Sequence, residues 1–252
     1  MAEHGWGFTP TAPTLAPDRA DVWWVHLEQN VPQINDLAAL LPPDEQERAA
    51  RFHFEMHRRH FIVAHGMLRL ILAYYLNCQP EQIEFSYNAA GKPALATGEG
   101  LRFNLSHSHE MALVAVTDGR EVGVDIEFVR PLDDIDRLAA STFSAYEVAA
   151  WGQLPQIQQH EGFFNCWTRK EAFIKALGQG LLYPLDQFDV SLEPGKPARL
   201  LHIAGDPQAV MHWSLCDLNL TKPYIAALVV EGQGWSLTSW KWDSTFATWN
   251  QV

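Results

Sequence analysis

Two lysines and a glutamate occupy unusual positions in the segment WTRKEAFIKALGQG, residues 167–180. At 100° per residue, the apolar side chains of this segment form one arc of a predicted helix, and Lys170 falls inside that arc. Glu171 and Lys175 lie along its edge at the spacing of ordinary surface pairs, which contribute about 0.2–0.5 kcal/mol. Lys170 does not fit a plain surface helix, although a lysine can extend its ammonium group from an apolar face to solvent.

A second candidate group lies in VGVDIEFV, residues 122–129, which reads as a strand. Alternation places Gly123, Asp125 and Glu127 on one face, with the Cα atoms of the two acids about 6.6–7 Å apart. Carboxylates at this separation can bind one hard cation, and we expect Gly123 to leave room for a ligand. A solvated strand face is the alternative interpretation.

These two segments together suggest a specific chemistry. If Glu171 joins Asp125 and Glu127, three carboxylates surround one divalent cation, and Lys170 and Lys175 are available to an anion held by it. Phosphoryl transfer requires this arrangement, because metal and lysines offset charge on the phosphate while a carboxylate serves the nucleophile.

Hydroxyl and imidazole groups alternate in NLSHSHE, residues 104–110. Ser106 and His107 suit a phosphate contact, and a capped turn is the alternative. A Ser/His nucleophile is disfavoured because there is no GxSxG elbow, and zinc at His107 and His109 is disfavoured because no third soft ligand has a recognisable spacing. Lys92, in a Gly-Lys-Pro turn, offers a further cation, although most exposed lysines have no specific role.

The composition is that of a globular protein with a substantial core: 252 residues, 47% hydrophobic and 12% aromatic. A net charge of -12 argues against non-specific binding of nucleic acid or anionic membranes, so a polyanionic ligand requires a local basic patch. The three cysteines have no CxxC spacing, which supports neither a disulfide framework nor a structural zinc site. No apolar stretch approaches the about 20 residues of a membrane span, and the N-terminus lacks the features of a signal peptide, so we predict a cytoplasmic protein.

The elements that must position these side chains are helices and strands in both halves of the chain. The predicted strands and hairpins cover 21–27, 83–95, 103–129 and the region after 187, and the predicted helices cover the segment from Pro43 to Tyr75, 132–150 and 161–177. This order predicts an α+β fold rather than a doubly wound sheet, with a seam near 120–130 and no visible residue-level repeat.

Five short motifs resemble those of the Sfp-type 4'-phosphopantetheinyl transferases. GVDIEFVR (123–130) is similar to the family pattern GxDIExxR, and WTRKEAFIKALGQGL (167–181) is similar to WxxKEAxxKxxG. Between them, FSAYE (143–147) resembles FSxxE, and the upstream GKP and FNLSHS resemble the remaining two motifs in the expected order.

The resemblance implies two similar α+β halves related by a pseudo-twofold axis, here residues 1–122 and 123–252, with coenzyme A and Mg²⁺ in the cleft between them. It implies transfer of the 4'-phosphopantetheine arm of coenzyme A to a serine of an acyl, peptidyl or aryl carrier protein, with release of adenosine 3',5'-bisphosphate.

Carried over position by position, the resemblance assigns Asp125, Glu127 and Glu171 to Mg²⁺, Glu171 also to the base, and Lys175 to stabilisation of the phosphate in flight. The coenzyme A contacts that it implies are Arg48, Lys92, Ser106, His107, Asp125, Lys170 and Lys175. The His- and Arg-rich stretch 53–65 departs from the family pattern, which leaves the adenine and 3'-phosphate contacts unassigned.

Two other functions stay open at this point. One is a metal-dependent nucleotide pyrophosphatase with water as nucleophile, which is disfavoured because no Nudix-type Glu-rich helix is present. The other is a catalytically silent module that binds carrier proteins or coenzyme A, which has no need of the acid at Glu171. We expect a monomer that binds neither nucleic acid nor membrane.

Overall fold

The computed structural model describes residues 7–8, 15–28, 34–98, 100–180, 183–206 and 208–242. In this part of the chain the helices are α1 (Ile34–Ala39), α2 (Pro43–Ala50), α3 (Glu55–Leu76), α4 (Ile135–Thr142), α5 (Ala145–Gly152) and α6 (Gln156–Leu177). The strands are β1 (Gly7–Phe8), β2 (Arg19–His26), β3 (Phe85–Tyr87), β4 (Pro93–Leu95), β5 (Leu101–Ser108), β6 (Met111–Asp118), β7 (Val122–Phe128), β8 (Phe188–Val190), β9 (Leu200–Ile203), β10 (Trp213–Asp217), β11 (Tyr224–Glu231) and β12 (Ser236–Lys241).

Two sheets form the centre of the molecule. The first has the strand order β1-β12-β2-β6-β5, in which β12 runs parallel to β1 and β2 and the other neighbours are antiparallel. The second is antiparallel, with the order β10-β11-β7. Two short hairpins, β3-β4 and β8-β9, lie outside these sheets.

The sheets pack face to face, and one long helix covers each outer face. The layer between the sheets is built from alternate apolar residues of four strands, including Val22, Leu113, Val124 and Leu228. The opposite faces of β2 and β6 pack with α3, and those of β11 with α6. Alternation along each strand therefore supplies one apolar face to the other sheet and one to a helix.

The two halves repeat the same arrangement. Strands β5-β6-β2 and β10-β11-β7 have the same order and the same antiparallel pairings, and α3 and α6 both have 22 residues. Each long helix ends at a residue in the left-handed region, Asn77 with φ 50° and Gly178 with φ 68°. The predicted α+β class with two similar halves is therefore confirmed.

Element boundaries differ from the sequence expectation in three places. The predicted helical region from Pro43 to Tyr75 is interrupted at residues 51–54, and the region 132–150 is also two helices. Helix α6 begins at Gln156, immediately after Pro155, whose ring suits a helix start and whose position the apolar pattern does not mark. Among the described helices, none has both the length and the apolar composition of a membrane span.

The boundary between residues 122 and 123 stays a prediction. Strand β7 begins at Val122, next to that boundary. Strand β12, near the end of the chain, pairs with β2 from near its start. The second half therefore contributes one strand to the first sheet.

Candidate active site

Helix α6 lies directly on β7, and this contact brings the candidate acids together. A Cβ atom at Gly123 would lie 2.1 Å from the carbonyl oxygen of Ala172 and 2.3 Å from the nitrogen of Ala176. Only glycine permits this approach of strand and helix backbones. The expectation that Gly123 leaves room for a ligand is wrong, because α6 fills that space.

Asp125 is the centre of the site. Its side chain is buried, and its Oδ1 accepts hydrogen bonds from Lys175 Nζ at 2.6 Å and Ser106 Oγ at 2.9 Å. Lys175 Nζ also donates to Ser106 Oγ at 2.9 Å. The second oxygen, Oδ2, is buried and has no hydrogen-bond partner in the described part of the chain. A buried carboxylate oxygen without a partner carries a desolvation penalty, which a bound cation or donor would offset.

Glu127 is held by two side chains that the sequence reasoning did not select. Ser108 Oγ donates to its Oε2 at 2.9 Å, and Trp167 Nε1 donates to its Oε1 at 3.2 Å. The pairs Ser106–Asp125 and Ser108–Glu127 repeat at a two-residue interval, since both strands present alternate residues to one face. The sequence signal for Ser108 is that the Ser-x-Ser spacing of residues 106–108 equals the Asp-x-Glu spacing of residues 125–127. Burial, followed by the charge of Asp125, raises the pKa of Glu127.

Glu171 has the properties of a base that works near neutral pH. Burial, and then the charges of Asp125 and Glu127, raise its pKa to about 7 against the opposing effect of Lys175. A carboxyl group with this pKa is partly ionised at pH 7 and can accept a proton from a hydroxyl group. The structure therefore brings Glu171, Asp125 and Lys175 together, as the motifs predict.

The acids are not arranged as a closed coordination shell. No group of three His, Cys, Asp or Glu side chains in the described part of the chain is positioned to hold a metal ion. The ammonium group of Lys175 instead supplies the positive charge beside Asp125. The donor chemistry nevertheless fits a hard cation, because the groups are carboxylates and one of their buried oxygens, Asp125 Oδ2, has no partner.

Basic side chains gather on the other side of Ser106. Burial lowers the pKa of His107, and electrostatic interactions with His65, Lys175, His60 and Arg48 lower it further. Lys175 and Arg48 therefore supply positive charge near His107, which a polyanionic ligand requires in an acidic protein. His107 also borders a cavity of about 340 Å³, which we call the histidine cavity; its walls are Phe52, Met56, His57, His60, Phe61, His107, Ser108 and His109.

Arg48 and Lys92 approach the site from different directions. The guanidinium group of Arg48 lies 5.2 Å from the centre of the Phe61 ring, beside the histidine cavity. Lys92 Nζ donates to Glu121 Oε2 at 2.9 Å, to the Ala176 carbonyl at 2.9 Å and to the Val122 carbonyl at 3.3 Å. Lys92 therefore already contacts both β7 and α6.

Lys170 does not face the site. It is fully buried, and its Nζ donates to both carboxylate oxygens of Glu147, at 2.7 and 2.6 Å, and to the Phe188 carbonyl at 2.7 Å. All three ammonium protons are used inside the second half, so none is left for a phosphate. The contact between Lys170 and coenzyme A that the resemblance implies is therefore not supported by the structure, and Glu147 of the FSAYE motif is its partner.

Two family models match this chain. A family model described as the 4'-phosphopantetheinyl transferase superfamily matches residues 121–229, and one described as 4'-phosphopantetheinyl transferase, N-terminal, matches residues 28–118. Together these two models cover most of the chain.

Curated relatives extend the match over nearly the full length. The 4'-phosphopantetheinyl transferase HetI of Nostoc sp. is 40% identical over 95% of this chain and 99% of its own length. The enzyme psf-1 of Bacillus pumilus is 34% identical over 73% and 78%, and Sfp of Bacillus subtilis is 29% identical over 61% and 67%. The resemblance carried by the motifs is confirmed: the chain belongs to the 4'-phosphopantetheinyl transferase superfamily.

Proposed function

We propose that the acids of β7 and α6 catalyse the reaction of this family: transfer of the 4'-phosphopantetheine arm of coenzyme A to a serine of an acyl, peptidyl or aryl carrier protein. The observation that carries the proposal is the position of Glu171 in one cluster with Asp125, Glu127 and Lys175. Family membership supports the same reaction.

Mg²⁺ is part of this proposal. Asp125, Glu127 and Glu171 would hold the ion, and the unpartnered Oδ2 of Asp125 is the observation that favours a cation there. When bound, Mg²⁺ neutralises charge on the pyrophosphate oxygens. The three neighbouring carboxylates repel one another, and besides burial this repulsion contributes to the raised pKa values of Glu127 and Glu171. A divalent cation relieves that repulsion more fully than Lys175 alone.

Glu171 performs the proton transfer. Its carboxylate accepts the proton of the carrier serine as the hydroxyl oxygen forms a bond to the phosphorus that bears the pantetheine arm. The bond from that phosphorus to the bridging oxygen breaks, and adenosine 3',5'-bisphosphate leaves with the electron pair. Lys175, held beside Asp125 by Ser106, places a positive charge where the transferred phosphoryl group carries negative charge.

Coenzyme A is bound by the basic side of the cleft in this proposal. Arg48 supplies positive charge near His107, the imidazole of His107 can donate or accept a hydrogen bond, and Lys92 reaches the junction of β7 and α6. Lys92 can contact a phosphate by giving up its ion pair with the half-exposed carboxylate of Glu121. Lys170 cannot do the same, because its departure would leave the buried carboxylate of Glu147 without a charge partner.

The test is to incubate an acyl carrier protein with coenzyme A, Mg²⁺ and this protein, and to weigh the carrier protein. A mass gain of one phosphopantetheine that is absent with a Ser→Ala carrier supports the proposal. Cleavage of coenzyme A without a mass gain would indicate a pyrophosphatase. Binding of coenzyme A without any product would indicate a silent module.

The remaining parts of the proposal concern the setting of the enzyme. We place the division of the halves at residues 122 and 123, with all catalytic side chains supplied by one chain, which is consistent with a monomer. A cytoplasmic location is supported by the cysteines, since Cys78, Cys166 and Cys216 all lie in the described part of the chain and form no disulfide.

A further inference from the structure

The turn between β3 and β4 contacts the carboxyl end of α6, although the two are far apart in sequence. Asn88 Nδ2 donates to the Gly178 carbonyl at 2.6 Å. Lys92 Nζ donates to the Ala176 carbonyl at 2.9 Å. We call this group, Asn88 and Lys92 on Ala176 and Gly178, the clasp.

The clasp satisfies groups that the helix itself leaves open. The last four carbonyls of an α-helix have no partner within the helix, and its carboxyl end carries a partial negative charge. The clasp supplies two donors, one of them a full positive charge, to Ala176 at the end of α6 and to Gly178, the residue that caps it. Both donors come from the first half of the chain, so the clasp ties the halves together at this point.

Asn88 has two separable functions in the clasp. Its Nδ2 holds Gly178, while its Oδ1 accepts the backbone N–H groups of Ala90 at 3.0 Å and Lys92 at 2.9 Å. The second pair of bonds shapes the turn that presents Lys92. The donor Nδ2 can therefore be removed while the acceptor Oδ1 is kept.

The contact is closely packed. A Cβ atom at Gly178 would lie 3.0 Å from Lys92 Cδ and 3.1 Å from Asn88 Nδ2. The φ of Gly178, 68°, also favours glycine. Since β7 meets α6 backbone to backbone at Gly123, the helix is located by the strand along its side and by the clasp at its end.

We propose that Asn88 is a positioning residue for the last turns of α6, acting through Gly178 on Lys175. The inference rests on the proposed function, since α6 carries Glu171 and Lys175. Lys175 immediately precedes Ala176, so fraying of the last turn moves its backbone and lengthens the 2.6 Å bond to Asp125. Glu171 lies one turn earlier and is less affected.

The decisive variant is Asn88→Asp. The carboxylate keeps the one oxygen that accepts both N–H groups, those of Ala90 and Lys92, so the turn persists, but it cannot donate to the Gly178 carbonyl and repels it. We expect kcat for transfer to fall about five- to tenfold, with KM for coenzyme A within twofold of the parent. Ser86→Ala is the matched control, because the Ser86 hydroxyl donates to the Ala94 carbonyl of its own hairpin; it should leave both constants unchanged.

Coupling with Lys175 separates positioning from general loss of structure. In a Lys175→Ala background, Asn88→Asp should lower the remaining kcat by less than twofold, because the group that it positions is gone. A five- to tenfold loss in both backgrounds would mean that Asn88 supports the fold in general and would overturn the inference. Unchanged kcat in the single variant would overturn it as well.

Hydrogen exchange provides a readout that does not depend on activity. The amide of Gly178 donates to carbonyls in the last turn, and it should exchange at least fivefold faster in Asn88→Asp but not in Ser86→Ala. If the parent protein transfers no phosphopantetheine while this exchange effect is present, the proposed function fails and the clasp stands. If the parent is active and exchange at Gly178 is unchanged, the clasp fails and the function stands.

Discussion

The two halves contain equivalent buried ion pairs, and only the second half has an acid, Glu171, next to the basic residue in the helix. In the first half Glu45, the third residue of α2, meets Arg69 of α3, whose Nη1 donates to the Ile83 carbonyl at 2.7 Å and whose guanidinium group lies 4.9 Å from the Phe85 ring. In the second half Glu147, the third residue of α5, meets Lys170 of α6, which bonds the Phe188 carbonyl and lies 4.1 Å from the Phe188 ring.

The spacing within the two helices agrees as well. Residues 69 to 77 and residues 170 to 178 both separate the basic residue from the left-handed helix end by eight positions. The repeat that the sequence does not display is therefore present as equivalent contacts. These pairs fix each long helix relative to a short helix and a hairpin, which is a structural role in both halves.

The difference lies one and five positions further along each helix. After Lys170 these positions are Glu171 and Lys175, whereas after Arg69 they are Leu70 and Tyr74. The proposed catalytic groups therefore lie on only one of two equivalent scaffolds. The basic residue of the KEA motif, Lys170, therefore has a structural role, and its neighbours Glu171 and Lys175 are the proposed catalytic groups.

The largest effect is expected from Glu171→Gln. Loss of the proposed base should lower kcat by about 10²- to 10⁴-fold while the far-ultraviolet circular dichroism spectrum stays unchanged. Leu70→Gln is the matched substitution in the other half and should change kcat by less than threefold. Near-normal turnover in Glu171→Gln would remove its assignment as base.

A smaller loss is expected from Lys175→Met. Removing a positive charge that stabilises the transferred phosphoryl group should lower kcat about 10²-fold. Tyr74→Phe, at the equivalent place in α3, should leave kcat within twofold of the parent. Equal losses in the two variants, measured in the same mass assay, would contradict a division of roles between the halves.

Breaking the buried pairs should affect stability in both halves but unequally. Lys170→Met leaves the fully buried Glu147 without its charge partner and should lower the free energy of unfolding by about 3–5 kcal/mol in urea. Arg69→Met should cost less, because Glu45 keeps His65 at 3.3 Å. The double variant Glu147→Gln with Lys170→Met should recover part of the loss. Unfolding at the parental urea concentration in Lys170→Met would show that the pair is not structural.

The smallest effect concerns pH. In metal-free protein the pKa of Glu171 is raised from 4.5 to about 7, so the folded state binds more protons than the unfolded state between these values. Its contribution to stability is full below about pH 4.5 and is lost as pH rises through about 7. The stability difference between parent and Glu171→Gln should therefore change with pH in this window, in favour of the parent at lower pH. A difference that is constant across the window would contradict the raised pKa.

The parts of the site that could be predicted depend on local periodicity. Strand alternation placed Asp125 and Glu127 on one face, and the helical wheel placed Glu171 and Lys175 on one edge. Neither periodicity identifies partners on other elements. For this reason Ser108 and Trp167 were missed as supports of Glu127, and Glu147 was missed as the partner of Lys170.

The family, the α+β class and the candidate acids follow from the sequence alone, because motif spacing and side-chain periodicity are properties of consecutive residues. The group that each charged side chain faces depends instead on how the elements pack. Lys170 is buried in an ion pair with Glu147, and α6 occupies the space beside Gly123. Asn88 donates a hydrogen bond to Gly178, 90 residues further along the chain. The physical reason is that desolvation and pairing depend on which elements pack together, and packing brings together residues whose spacing in sequence carries no information about their contact.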